Sequence, residues 1–299
     1  MTSAGRFAPS PSGELHVGNL RTAILAWLFA RSTGRRFLLR VEDLDRARAG
    51  AEAVQLRDLA AVGITWDGEV VRQTSRGPIY AEAINRLQAA GLTYECFCTR
   101  REIQEAPSAP HAPQGAYPGT CRNLDRSELD YKRSTRPAAI RLRADVHDYT
   151  VQDVMHGTFT GVVDDFVLRR NDGVTAYNLA VVVDDAAQGI DQVVRGDDLL
   201  PSTPRQAYLA SLLNIPVPEY VHVPLVVNRD GVRLAKRDGA VTLADLGQAG
   251  VTAREVRNLL LESLGLPAGT LDQALHALDP AQLPREPWVW PGMERPPAG

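Results

Sequence analysis

Three groups of residues in this chain have the types and spacing to do chemistry. The first is the run Pro9-Ser10-Pro11-Ser12-Gly13-Glu14-Leu15-His16-Val17-Gly18-Asn19. Its prolines and glycine make a rigid turn, and apolar residues at helical spacing follow. A helix that starts there offers free N–H groups and the positive end of its dipole to a phosphate. His16 can donate a hydrogen bond to phosphate oxygens, Asn19 carries a donor amide, and Gly18 leaves the backbone open to close approach. The second group is Arg233-Leu234-Ala235-Lys236-Arg237. Its three cations can offset negative charge that builds up on a departing pyrophosphate. Of the 33 Lys and Arg residues, Lys132 and Lys236 alone are lysines, which singles out Lys236. The third group holds all 3 cysteines, Cys96, Cys98 and Cys121. Three thiolates and one further ligand make a closed tetrahedral zinc site, structural in kind. On ligand chemistry alone His111 is the better fourth ligand.

Positioning these groups requires an α/β scaffold. Leu20, Ala23, Ile24, Trp27 and Leu28 form the inward stripe of a helix, and Phe37 to Val41 reads as a buried strand. Strand, turn, helix, strand is the opening of a parallel sheet. Helices are predicted over 54–62 and 79–90, the second ending at Gly91. The segment 107–119, rich in proline and glycine, is a loop within the cysteine cluster, as expected where a metal holds the chain. Phe166 to Arg170 with the Asn171-Asp172-Gly173 turn predicts a hairpin. The apolar run 179–183 is of a type that periodicity does not assign. A strand over 223–227, helices near 254–264 and 271–278, and an irregular proline-rich tail over 284–299 complete the reading.

Composition sets outer bounds. The chain has 299 residues, 44% hydrophobic and 23% charged, with a net charge of -3, so nonspecific coating of nucleic acid is disfavoured. Arg122, Arg126, Lys132, Arg133, Arg136, Arg141 and Arg143 form a basic run that reads as a solvated charged face. The first residues lack a secretory pattern and no apolar stretch is long enough to span a bilayer, so a cytoplasmic protein with no membrane partner is expected.

Taken singly, the first motif could be a capped turn and the second a solvated basic loop. In this order and at these places they resemble the HIGH-type box and KMSKS-type loop with which class I aminoacyl-tRNA synthetases clamp ATP. Here the boxes read His16-Val17-Gly18-Asn19 and Arg233-Leu234-Ala235-Lys236-Arg237, with Asn19, Arg233 and Ala235 as departures. Further stretches are similar to the glutamyl branch: Arg6-Phe7-Ala8-Pro9-Ser10-Pro11-Ser12-Gly13, Leu39-Arg40-Val41-Glu42-Asp43-Leu44-Asp45, Ala176 to Asp185, and Val194 to Leu200.

The resemblance implies a Rossmann-like core in two halves, 1–92 and 141–240, around a zinc-binding insertion at 93–140. A small helical region at 241–285 and a tail at 286–299 follow. It implies ATP contacts from His16, Gly18, Asn19, Leu234 and Lys236, with His16 and Lys236 catalytic. Arg6 and Arg195 would serve the carboxylates of L-glutamate and Glu42 its ammonium. Tyr177 would hydrogen-bond the substrate, and Phe7, Ala8, Pro9 and Ser10 would line its site. Arginine's planar fork suits carboxylates. The resemblance replaces His111 by Tyr117 as the fourth ligand of one structural Zn²⁺ per chain, and Mg²⁺ is implied with ATP. Only residues 238–299 follow Arg237, which leaves no room for an anticodon-binding domain. The chain therefore looks like the short glutamyl-Q tRNA(Asp) synthetases, which glutamylate queuosine in tRNA(Asp), and a monomer is expected. The competing readings are a short enzyme that charges a tRNA 3′ end and a regulatory paralogue without catalysis.

Overall fold

The computed structural model describes residues 3–105, 117–234 and 241–292. Lys236, His111 and the greater part of the 107–119 loop lie outside them. The opening is as expected. Strand β1 (Ala4–Phe7) leads through the Pro9–Gly13 turn into helix α1 (Val17–Ser32), and β2 (Arg36–Val41) returns parallel to β1. Helix α1 is buried almost all round, on Leu25, Ala26 and Phe29 as well as on the predicted stripe. It lies very close to the sheet: a Cβ on Gly5 would come 2.9 Å from that of Ala30.

Helix α2 (Ala51–Ala61), β3 (Val71–Arg72) and α3 (Gly77–Ala89) follow, then β4 (Thr93–Cys96), α4 (Arg100–Glu105), α5 (Arg126–Thr135) and β5 (Ala139–Leu142). Next come the hairpin β6 (Asp148–Asp153) and β7 (Gly157–Val162), then β8 (Val167–Arg169), α6 (Tyr177–Gln188), β9 (Ile190–Gly196), α7 (Thr203–Leu212) and β10 (Glu219–Val223). The chain closes with β11 (Val226–Val227), α8 (Leu243–Gln248), α9 (Ala253–Glu262), α10 (Leu271–Ala277) and β12 (Trp288–Val289).

Seven strands form one sheet in the order β3-β2-β1-β9-β10-β6-β7, parallel except for the β6–β7 hairpin. From β1 the chain builds outward to β2 and β3, then crosses to the other side for β9 and β10. The order reverses between β1 and β9. In open α/β sheets ligands bind at the carboxyl ends of the strands flanking that reversal. Arg6 and Arg195 sit near those ends.

A second, three-stranded antiparallel sheet of β4, β5 and β8 carries the cysteine cluster. It takes its third strand from beyond the 93–140 segment. The expected hairpin after β8 is reduced to a single bridge between Arg169 and Thr175, because the chain turns at Gly173 (φ 87°) and enters α6. The run 179–183 is therefore helical.

Two expectations are corrected. The strand expected over 223–227 is broken at Pro224 and Leu225, and its halves belong to different sheets. Within the stretch expected to be an irregular tail, Trp288–Val289 pairs in parallel with β11, and Trp290 is 5% exposed, while residues 293–299 lie outside the described ones. Burying the Trp290 indole, which meets the half-buried Trp288 ring edge to face at 5.6 Å, opposes the ordering cost of a proline-rich segment. Among the described residues no helix is long and apolar enough to cross a membrane.

Candidate active site and cysteine cluster

A cavity of about 560 Å³ opens at the reversal point between β1 and β9. Arg6, Phe7, Ala8, Pro9, Ser10, His16, Gly18, Asn19, Glu42, Tyr177, Arg195 and Arg233 all line it. Residues far apart in sequence thus share one space.

At one end stands the start of α1. His16 is its N-cap, and its Nδ1 accepts the Asn19 N–H at 3.3 Å while Asn19 Oδ1 accepts the His16 N–H at 3.2 Å. This reciprocal cap fixes the tautomer, since Nδ1 must carry the lone pair and Nε2 the proton. Burial, aided by the Arg233 charge, lowers the His16 pKa to about 4, so the ring is a neutral N–H donor at physiological pH. Asn19 completes the cap and keeps its amide NH₂ in reserve, which accounts for asparagine at this position. Gly18 lines the cavity and also has a packing role. A Cβ there would come 2.9 Å from His16 Cε1 and 3.3 Å from Val226 Cβ, so the missing side chain makes room for the imidazole.

The segment that carries Lys236 is flanked by buried residues on both sides, Leu234 and Val241. The Val17 N–H donates to Val241 O at 2.8 Å, and His16 and Thr242 form an antiparallel bridge. The histidine motif is thereby pinned to chain directly beyond that segment. Leu234 packs its side chain into the main core and does not line the cavity. Arg233 pairs with Asp198 at 2.6 Å.

At the other end are the groups suited to an amino acid. Glu42 follows β2, and its N–H donates to Pro9 O at 2.9 Å, tying the strand end to the turn. Burial raises its carboxyl above the ordinary range although Arg40 and Arg6 pull it down, so a cationic ligand would be welcome beside it. Arg6 Nε lies 3.3 Å from Asp185 Oδ1. Tyr177 opens α6 and is 41% exposed, its ring at the cavity wall. Arg195 donates Nε to His222 and Nη2 to Thr203, while its buried Nη1 has no partner among the described residues. A buried guanidinium nitrogen without an acceptor is costly unless a ligand supplies one.

Sequence reasoning missed the supports beneath these groups. Arg40, fully buried, reaches Asp185 at 2.7 Å, Glu42 at 3.3 Å and Asp184 at 3.7 Å. Asp184 in turn takes Gln73 Nε2 and the Tyr80 hydroxyl, each at 2.8 Å. Gln55 Nε2 donates to Ser10 O at 3.0 Å and Gly13 O at 2.6 Å, which holds the turn from below. A charged residue inside the apolar run of β2 is the one available signal for Arg40, since a buried charge must be paired. Nothing in the sequence marks Gln55.

The cysteines gather in the small sheet. The Cys96, Cys98 and Cys121 sulfurs lie within 4.8 Å of one another, with Cys98 Sγ to Cys121 Sγ at 3.5 Å. The Tyr117 hydroxyl is 3.3 Å from Cys96 Sγ and 3.6 Å from Cys98 Sγ, and it accepts the Cys121 N–H at 2.8 Å. Tetrahedral zinc with Zn–S bonds of about 2.3 Å needs sulfurs about 3.8 Å apart, so this donor set fits a metal. Hydrogen bonds from Cys121 and Tyr117 lower the Cys96 pKa, which favours its thiolate form. Burial raises that of Tyr117, so its phenol would need a strong Lewis acid to ionise. Part of the basic run around this cluster is held by partners. Arg133 pairs with Glu95 at 2.7 Å, Arg136 with Glu102 at 3.2 Å, and Arg141 lies 3.7 Å over the Tyr117 ring.

A parallel sheet with a ligand cavity at its reversal point, entered by a histidine-capped helix and lined on one side by Arg233, is the arrangement of a class I aminoacyl-tRNA synthetase type of ligase. The family model for the catalytic domain of class I tRNA synthetases (E and Q) matches residues 4–275. The chain is 66% identical over 287 residues to the glutamyl-Q tRNA(Asp) synthetase of Nocardia farcinica (strain IFM 10152), covering 96% of this chain and 92% of that one. It is 53% identical to that of Cutibacterium acnes (strain DSM 16379 / KPA171202) over 89% of this chain and 77% of that one. The chain belongs to the glutamyl-Q tRNA(Asp) synthetase family. The crystal structure of a glutamate tRNA ligase from Elizabethkingia meningosepticum CCUG26117 in complex with its amino acid superposes with a TM-score of 0.80 at 26% identity. That likeness covers 96% of this chain and 66% of the ligase.

Proposed function

We propose that this chain activates L-glutamate with ATP and transfers the glutamyl group to queuosine at the wobble position of tRNA(Asp), in the cytoplasm. One observation carries the reading. A single cavity joins a helix N-terminus capped by neutral His16, suited to phosphate, to a buried guanidinium with a free nitrogen and an adjacent acid, suited to an amino acid.

In this reading Arg6 and Arg195 take the glutamate carboxylates, Glu42 the ammonium, and Tyr177 a further hydrogen bond. Phe7, Ala8, Pro9 and Ser10 line the pocket. ATP lies along the start of α1, against His16, Gly18, Asn19 and the backbone at Leu234, with Mg²⁺ as its counter-ion. A glutamate carboxylate oxygen attacks the α-phosphorus in line and pyrophosphate leaves. His16 and Lys236 stabilise the charge that develops on the phosphate oxygens. A hydroxyl of queuosine then attacks the activated carbonyl and AMP departs, with no protein nucleophile. Zinc held by Cys96, Cys98, Cys121 and Tyr117 supplies structural closure of the small sheet.

The test supplies labelled glutamate and ATP, first without tRNA and then with tRNA(Asp) that carries or lacks queuosine. Pyrophosphate exchange is expected without tRNA. Label should go only to the modified tRNA and survive removal of its 3′-terminal CCA. Comparable charging of the 3′ end of unmodified tRNA(Glu) would overturn the assignment.

A further inference from the structure

The two arginines at the amino-acid end of the cavity are held in opposite ways. Arg6 is bound to a carboxylate, that of Asp185. Arg195 pairs with no carboxylate among the described residues, and its hydrogen-bond partners, His222 and Thr203, are neutral.

The register explains how. Arg195 on β9 and His222 on β10 are direct partners across a parallel pair, and both are buried. Arg195 Nε donates to His222 Nε2 at 3.0 Å, and Nη2 donates to Thr203 Oγ1 at 2.9 Å. Across the imidazole, Nδ1 lies 2.6 Å from Asp153 Oδ2. Asp153 also accepts the backbone N–H groups of His222 at 3.1 Å and of Met155 and His156 at 2.9 Å each. A carboxylate with so many donors stays ionised, so Nδ1 must carry its proton and donate. Nε2 is then left with a lone pair, which is what Arg195 Nε–H needs. Burial and the Arg195 charge lower the His222 pKa more than Asp153 raises it, in keeping with a neutral ring.

The clamp therefore orients the guanidinium on two nitrogens without cancelling its charge, and the third, Nη1, is left over and buried. A carboxylate in place of His222 would hold Arg195 equally well but would occupy the charge that a ligand is to meet. We propose that Asp153, His222 and Thr203 are positioning residues that aim an uncompensated Arg195 at a ligand carboxylate, and so set affinity for the amino acid. This rests on the reading of the cavity as a glutamate site.

The experiment is glutamate-dependent ATP–pyrophosphate exchange at varied glutamate and varied ATP, for the wild type, H222L, H222Q and T203V. H222L removes the acceptor, H222Q restores a neutral one, and T203V exchanges a hydroxyl for a methyl of the same shape. Misaiming a binding group by about 1 Å costs up to ~10²-fold, so the glutamate KM of H222L should rise about 10- to 100-fold. T203V should show a smaller rise and H222Q should recover most of the loss, with kcat and the ATP KM unchanged in all three. A merely structural role predicts that both KM values and kcat worsen together, and that outcome overturns the proposal. So does an unchanged glutamate KM in T203V, which carries the test if H222L does not fold. A wild type without glutamate-dependent exchange would refute the reading of the cavity itself. An active wild type with unaltered variants would refute the positioning role alone.

Discussion

Replacing Arg40 by methionine tests whether the buried charges beneath the cavity are one unit. Arg40 is fully buried and serves three carboxylates, those of Asp185, Glu42 and Asp184. Without it, Asp184 keeps its ion pair with Arg76 at 2.5 Å besides Gln73 and Tyr80, and Asp185 keeps Arg6 at 3.3 Å, while Glu42 retains only the field of Arg6. Removing one partner of a buried ion pair costs about 3–5 kcal/mol, because the other charge stays desolvated. At about 2 °C per kcal/mol for a chain of this size, R40M should melt roughly 6–10 °C below the wild type near neutral pH. In the wild type the Asp185 pKa is lowered, since Arg40 and Arg6 outweigh the opposing effect of burial. Its stabilisation is therefore present above the ordinary carboxylate pKa and lost only as pH falls through the lower folded value. In R40M the same carboxyl should titrate higher than in the wild type, since burial is then opposed by Arg6 alone, so the variant should gain stability relative to the wild type as pH falls and the group takes up a proton. The gap in Tm should narrow from pH 8 to pH 5. The Glu42 pKa, already raised, should rise further, and exchange activity should fall through the glutamate KM. Thermal melts across that pH range are the assay, and an equal gap at pH 8 and pH 5 would refute the reasoning.

The remaining predictions concern the phosphate end and the metal. K236A should lower pyrophosphate exchange about 10²- to 10³-fold with an unchanged far-UV spectrum, as for loss of one charged transition-state donor. A variant with half of wild-type exchange would remove Lys236 from the mechanism. G18A should force the His16 ring aside, since its Cβ would come 2.9 Å from Cε1. A lost cap of about 1 kcal/mol is offset by up to about 1 kcal/mol of helix propensity, so Tm should hold while exchange drops. Full activity in G18A would show that the His16 placement is unimportant. Elemental analysis should find one zinc per chain in the wild type and none in C98S. Hydrogen exchange in that variant should show lost protection in β4 and β5. Freshly purified wild type without zinc would count against the metal.

The sequence by itself determined the reaction class, because the chemistry is carried by short runs whose order survives in one dimension. The Pro9–Asn19 turn and helix start and the cysteine spacing were legible. So were β1, α1 and β2, whose apolar periods are local. What only the tertiary structure decided is what holds those runs in place. Arg40 meets Asp185 across 145 residues, His222 meets Asp153 across 69, and Gln55 braces Ser10 from 45 away. No local spacing encodes such pairs, since a polar residue declares itself buried only when the partner that satisfies it is known. The same reason accounts for the helix over 177–188, the break at Pro224 and the return of Trp288 to β11. Each was settled by what the rest of the chain offered to bury or to pair.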